Sequence, residues 1–154
     1  MHSTRVTRFL PHRPDDLFAL VGDVEAYPEF VPWVSSMRVW NRIEQEEGVR
    51  TVDAEAKVGF AFVREAFATR VRMDARQRTI DVELLYGPFK RLKNRWRFLP
   101  DAKGCQVVFE IDFAFKSRIL DALLAANMRH AAERLIACFE ERAQALYPAG
   151  AGSA

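Results

Sequence analysis

The stretch FEIDFAFKSRILDALL, Phe109 to Leu124, changes its hydrophobic period partway along. Val107, Phe109, Ile111, Phe113 and Phe115 fall at every second position, the pattern of a strand buried on one side. Beyond Ser117, Ile119, Leu120, Leu123, Leu124, Met128, Leu135, Ile136 and Phe139 recur at helical spacing, with Arg118, Arg129, Glu133, Arg134 and the run Glu140 to Arg142 as the polar side. A half-buried strand therefore feeds one long terminal helix, predicted to lie across the apolar face of a sheet.

Upstream the two-residue period repeats. Leu92, Trp96 and Phe98 alternate with Lys93, Arg95 and Arg97; Ile80, Val82, Leu84 and Tyr86 alternate with Asp81 and Glu83; Phe67, Val71 and Met73 alternate with Arg70 and Arg72. Val52, Ala54, Ala56, Val58, Phe60 and Phe62 share one face of VDAEAKVGFAFV. Short turns such as EQEEG, Gly87-Pro88 and LPDAKG join these runs, which predicts an antiparallel meander with one buried side. Val34 to Ile43 and Arg5 to Leu10 complete about seven strands. PDDLFALVGD reads as a short helix, with Pro14 and two acids in its first turn and Gly22 at its end. The class is α+β: one domain over residues 1–147, and a small-residue tail, 148–154, expected to be disordered.

Composition narrows the function classes. With 154 residues, 49% of them apolar and 29% charged, the chain can bury one sizeable core, and its twelve Phe and three Trp are a heavy aromatic load. The 23 basic residues barely exceed the 21 acidic ones, so bulk charge points to no DNA partner. No apolar run reaches the roughly 18 residues of a membrane span, and MHSTRVTRFLPHR lacks a secretory hydrophobic region, so a cytoplasmic location is expected. Cys105 and Cys138 lack metal-site spacing and are expected to be reduced.

About seven strands spaced ~4.8 Å apart make a sheet some 30 Å wide, against roughly 10 to 12 Å for a helix with its side chains. One helix cannot cover such a sheet, so twist and other segments must close the remaining apolar surface. DVEAYPEFVPWV, Asp23 to Val34, is one such segment: rich in large apolar residues, yet barred from being a regular helix throughout by Pro28 and Pro32. Two readings stay open. The segment is a lid-like flap plugging one end of a cavity, or its side chains simply fill a close-packed core.

Three blocks, VGDVEAYPEFVPWV, GPFKRLKNRWRF and FEIDFAFKSRILDALL, together with the order of elements from Thr4 to Leu146, resemble the coenzyme Q-binding members of the polyketide cyclase and START-like superfamily. The resemblance implies a helix-grip fold, in which a curved antiparallel sheet wraps a long C-terminal helix and encloses a hydrophobic tunnel. It implies ubiquinone or a similar isoprenoid lipid as bound ligand, held by a carrier or chaperone that supports respiration, with no required cofactor and with peripheral contact at the inner membrane. Relatives within the resemblance include toxins that associate with the large ribosomal subunit, and cyclases. Ribosome binding and cyclase-like catalysis are therefore the alternatives.

On the carrier reading Tyr27, Phe30, Val31 and Trp33 form the flap. Phe60, Phe62, Val71, Leu84, Tyr86, Trp96, Phe109 and Phe113 form the sheet wall, and Leu123, Leu124, Met128 and Leu135 the helix wall. Tyr27 could offer its hydroxyl to a quinone carbonyl. Catalysis finds less support, because His2, His12 and His130 are scattered, Ser35-Ser36 lacks nucleophile-elbow glycines, and no phosphate loop is present. The protein is accordingly read as not an enzyme. The basic residues Lys90, Arg91, Lys93, Arg95 and Arg97 could meet lipid headgroups or rRNA phosphates, or could pair with Asp81, Glu83, Glu110 and Asp112 at matching parity on adjacent strands.

Overall fold

The computed structural model describes residues 2–60 and 63–147. Phe62 and the expected tail, 148–154, lie outside the described residues. The chain forms β1 (His2–Leu10), α1 (Pro14–Gly22), a 3-10 helix (Val24–Glu29), β2 (Val34–Glu46), β3 (Val49–Phe60), β4 (Val63–Asp74), β5 (Thr79–Tyr86), β6 (Phe89–Asp101), β7 (Gly104–Phe115), α2 (Arg118–Ala125) and α3 (Met128–Leu146). All seven strands join one antiparallel sheet in the order β1-β7-β6-β5-β4-β3-β2, so β2 to β7 meander and β1 returns to the free side of β7.

Register sets which side chains look inward. One transverse row runs Val52, Val71, Val82, Asn94, Ile111, Thr4 from β3 through to β1; the next runs Met73, Ile80, Trp96, Phe109, Val6. A strand has a strict two-residue period, so these rows carry the alternating apolar residues onto one concave face. Gly104, the first residue of β7, lets β1 come this close: a Cβ there would run into the Leu10 carbonyl and the Pro11 backbone.

Ala132, Ile136, Phe139 and Ala143 of α3 pack onto Trp96, Phe98, Val107 and Phe109, and Leu17, Leu20 and Val21 of α1 close the same core. Phe98, Phe109, Ile136 and Ile80 are fully buried, each worth about 1.5 to 3 kcal/mol of apolar transfer. The helices rest chiefly on part of the sheet, with α3 against β1 and α1, α2 against β7, and α1 on β5 and β6.

The terminal helix is broken, contrary to the single long helix expected. Asn127 bonds its side-chain amide to the Leu123 carbonyl at 3.1 Å, while its backbone N–H reaches only to Leu124. A short polar side chain that competes for the helix's own acceptors favours a break, and α3 restarts at Met128. The consequence falls on α2, none of whose side chains is buried.

Candidate ligand-binding site

DVEAYPEFVPWV forms the 3-10 helix and the loop into β2, and it plugs one end of the sandwich. Val24 and Val31 are buried, Val31 completely. The Tyr27 and Phe30 rings stand edge-on to Phe139, each with centroids 5.2 Å away, and the Tyr27 hydroxyl donates to the Val21 carbonyl. Burial, and then the charge of Asp23, hold that phenol well above its ordinary pKa. Tyr27 therefore spends its donor inside the plug, which removes the hydroxyl suggested for a ligand carbonyl. Trp33 is only half-buried, with the Arg134 guanidinium 5.3 Å over its ring.

The sheet residues expected to form one wall divide between two clusters. Val71, Trp96 and Phe109 belong to the tightly packed main core, as Leu135 does at its margin. Phe113, Leu84, Leu124 and Met128 gather with Phe67, Phe89, Leu92, Ile111 and Phe115 in a second cluster beneath α2. Phe60 lies in β3.

Two expected wall residues point away. Tyr86 is 48% exposed because a register shift between Ala68 and Thr69 places Leu85 as an extra residue and turns Tyr86 to the outer face. There its hydroxyl donates to Glu55 Oε2 at 2.8 Å. Leu123 is 44% exposed because it sits on the outward side of the detached α2, with Ile119 at 82%. Phe67, Leu92, Asn94 and Ile111 are members of the concave floor that the site reading missed. Each has the inward parity visible in its strand, and that parity was the signal available.

The second cluster is apolar and incompletely roofed. Phe67, Leu84, Ile111, Leu124 and Met128 all keep part of their surface accessible. Packed on this cluster through Leu124, α2 is also tethered by Asp121: the carboxylate accepts from the Phe115 N–H at 2.9 Å and meets His2 Nε2 at 2.8 Å. These contacts, His2 first and then the Phe115 amide, keep the Asp121 carboxyl below the usual range. At the β3–β4 end a recess of about 600 Å³ is lined by Pro32, Trp33, Ser35, Val58, Arg64 and Glu65 among others. A second, of about 450 Å³, lies between α1 with the 3-10 helix and the strands β2 to β4, lined by Phe18, Val24, Val39, Val52 and Met73 among others. Of the expected wall and flap residues whose side chains are described, only Trp33 lines either recess.

The outer face of β6 is largely neutralised. Arg95 grips Asp81 through Nε and Nη2 at 2.6 and 3.2 Å, Arg97 reaches Glu110 at 3.1 Å and Arg91 reaches Asp112 at 2.7 Å. Antiparallel register sets Asp81 directly opposite Arg95 and places Glu110 and Asp112 diagonally from Arg97 and Arg91, the paired reading of the basic run. Lys90 and Lys93 are exposed and join no ion pair among the described residues. Cys105 is buried between Leu10 and Pro100 in register, and burial pushes its thiol up to about 11. Among the described residues no helix is long and apolar enough to cross a membrane.

A curved antiparallel sheet, its apolar concave face gripped by a C-terminal helix, defines a START-like helix-grip fold. The chain belongs to the family described as polyketide cyclase / dehydrase and lipid transport, whose pattern matches residues 10–140. It is 35% identical over 147 residues to the ribosome association toxin RatA of Rickettsia prowazekii, covering 94% of this chain and 97% of that one. It is 31% identical over 117 residues to the mitochondrial coenzyme Q-binding protein coq10 of Schizosaccharomyces pombe, covering 75% and 70% of the two chains. Among solved structures, the 18 kDa protein CC1736 of Caulobacter crescentus superposes with a TM-score of 0.81 at 62% identity, over 96% of this chain and 99% of that one.

Proposed function

We propose that the protein binds an isoprenoid quinone of the ubiquinone class on the concave floor beneath α2, as a carrier or chaperone supporting respiration. The observation that carries this is a mismatch: Phe67, Leu84, Leu92 and Phe113 form an apolar floor, and the helix above it buries none of its own side chains. An apolar chain seated between that floor and α2 would remove further area from water, at roughly 25 cal/mol per Å² less ordering costs. The name of the fission-yeast relative supports the choice of ligand class. Ile119, Ala122 and Leu123 face outward on α2, and neighbouring Lys116 and Arg118 join no ion pair among the described residues. That surface suits brief contact with an anionic bilayer, the source of the ligand. Organic extraction of natively purified protein, followed by mass spectrometry, should return near-stoichiometric quinone; protein free of any lipid overturns the proposal.

Ribosome association is the second reading, favoured by the names of relatives that match nearly the full chain. It would rest on exterior cations such as Lys90 and Lys93, because Arg91, Arg95 and Arg97 are already paired. Cosedimentation with large ribosomal subunits that falls steeply from low to moderate salt supports this reading, and its absence at low salt excludes it.

A further inference from the structure

Asn94 stands where the register calls for an aliphatic residue. Its Cα partners are Val82 and Ile111, its inward neighbours along β6 are Leu92 and Trp96, and the side-chain Oδ1 is buried with no hydrogen-bond partner. The other buried side-chain polar atoms lacking partners among the described residues are the Nε atoms of Arg91, Arg97 and Arg142. Each of those guanidiniums is anchored through Nη2, to Asp112, Glu110 and Glu29 respectively. Among the described residues, Asn94 alone sets an unanswered polar atom on the concave face.

An unpaired buried amide oxygen is costly, whereas Leu or Val in the same row would pack without penalty. The residue nevertheless keeps part of its surface accessible, as do Val82 and Ile111 beside it, although neither recess described above reaches the amide. It also marks a boundary. Trp96 belongs to the closed main core, while Leu92 and Phe113 belong to the loosely roofed cluster.

We propose that Asn94 is the polar anchor of the ligand site, binding the oxygen-bearing head of an otherwise apolar ligand; this rests on the ligand reading above. The head sits against the Trp96 end, and the tail runs over Leu92 and Phe113 beneath α2. The unpaired Oδ1 can accept from a quinol hydroxyl, and with the amide turned over Nδ2 takes the same place and can donate to a quinone carbonyl. The site thus takes both redox forms of such a head and prefers them to a hydrocarbon of equal length.

Decylubiquinone and dodecylbenzene, titrated against wild type and Asn94→Leu, test the assignment. Asn94→Leu should weaken decylubiquinone by about tenfold, the worth of one buried hydrogen bond, and leave dodecylbenzene unchanged. The unliganded variant should melt at or above the wild-type temperature, which shows that it folds. In wild type, infrared difference spectra should show the bound quinone's carbonyl stretch lowered relative to hexane solution. Equal decylubiquinone affinity in the two proteins, or an unshifted carbonyl, overturns the anchor while leaving the ligand reading intact. Wild type that binds neither probe overturns the ligand reading itself and the anchor with it.

Discussion

Tyr86 and Glu55 meet on the convex side of the sheet, hydroxyl to Oε2 at 2.8 Å, although Tyr86 continues the alternation of Ile80, Val82 and Leu84, which face inward. One bulged residue reverses everything beyond it, so a position that reads as cavity wall becomes surface. Tyr86→Phe should therefore leave the quinone recovered by extraction unchanged. Leu84→Asp, which sets a charge in the apolar floor, should abolish it, and comparing the extracts checks both.

Asp53 gives stability a defined pH dependence. Its buried carboxylate accepts from Arg70 Nε and Nη2 at 2.9 and 3.2 Å and from Asn41 Nδ2 at 2.9 Å. The Arg70 hydrogen bonds chiefly, helped by Asn41, depress its pKa against the opposing effect of burial. A depressed folded-state pKa contributes stability above the ordinary carboxylate pKa of about 3.9 and loses it as pH falls through the folded value. Asp53→Asn should cost about 1 to 3 kcal/mol at neutral pH, and the gap from wild type should narrow below about pH 4 in urea titrations.

The Asp121 tether makes α2 the part of the helical layer that opens first. Backbone amides of α2 should exchange with solvent far faster than those around Ile136 and Phe139 in α3. Asp121→Ala removes the contacts to His2 and the Phe115 N–H, so it should speed exchange in α2 while leaving α3 unchanged. Equal protection of the two helices would mean that α2 is packed as firmly as α3.

Much of the fold was legible because the strands are long and half-buried: the alternation at Leu92, Trp96, Phe109 and Phe113 set the face and the meander. The helix break was hidden, since Asn127 interrupts an otherwise intact apolar spacing and acts through one side-chain hydrogen bond. Tyr86 was misplaced because a bulge leaves no mark in an apolar pattern. The site was harder still. Parity says that Trp96 and Leu92 both face inward, but not that one is sealed under α3 and the other lies under a loose helix. Asn94 was readable by parity, yet a polar residue inside an apolar row attracts no notice until its surroundings are known.

The two halves of the interior should respond differently to truncation. Phe139 touches the rings of Tyr27, Phe30 and Trp96, all at 5.2 Å, so Phe139→Ala should cost about 3 to 5 kcal/mol in denaturant unfolding. Met128 borders the loosely roofed cluster, and Met128→Ala should cost at most about 2 kcal/mol, near the low end for such substitutions.

Where the ligand sits is the central claim, and amide and methyl NMR shifts on titration with decylubiquinone read it directly. The largest changes should fall on Leu84, Leu92, Asn94, Ile111, Leu124 and Met128. Shifts confined to the outer face of β6, or an unperturbed spectrum at saturating quinone, would contradict it.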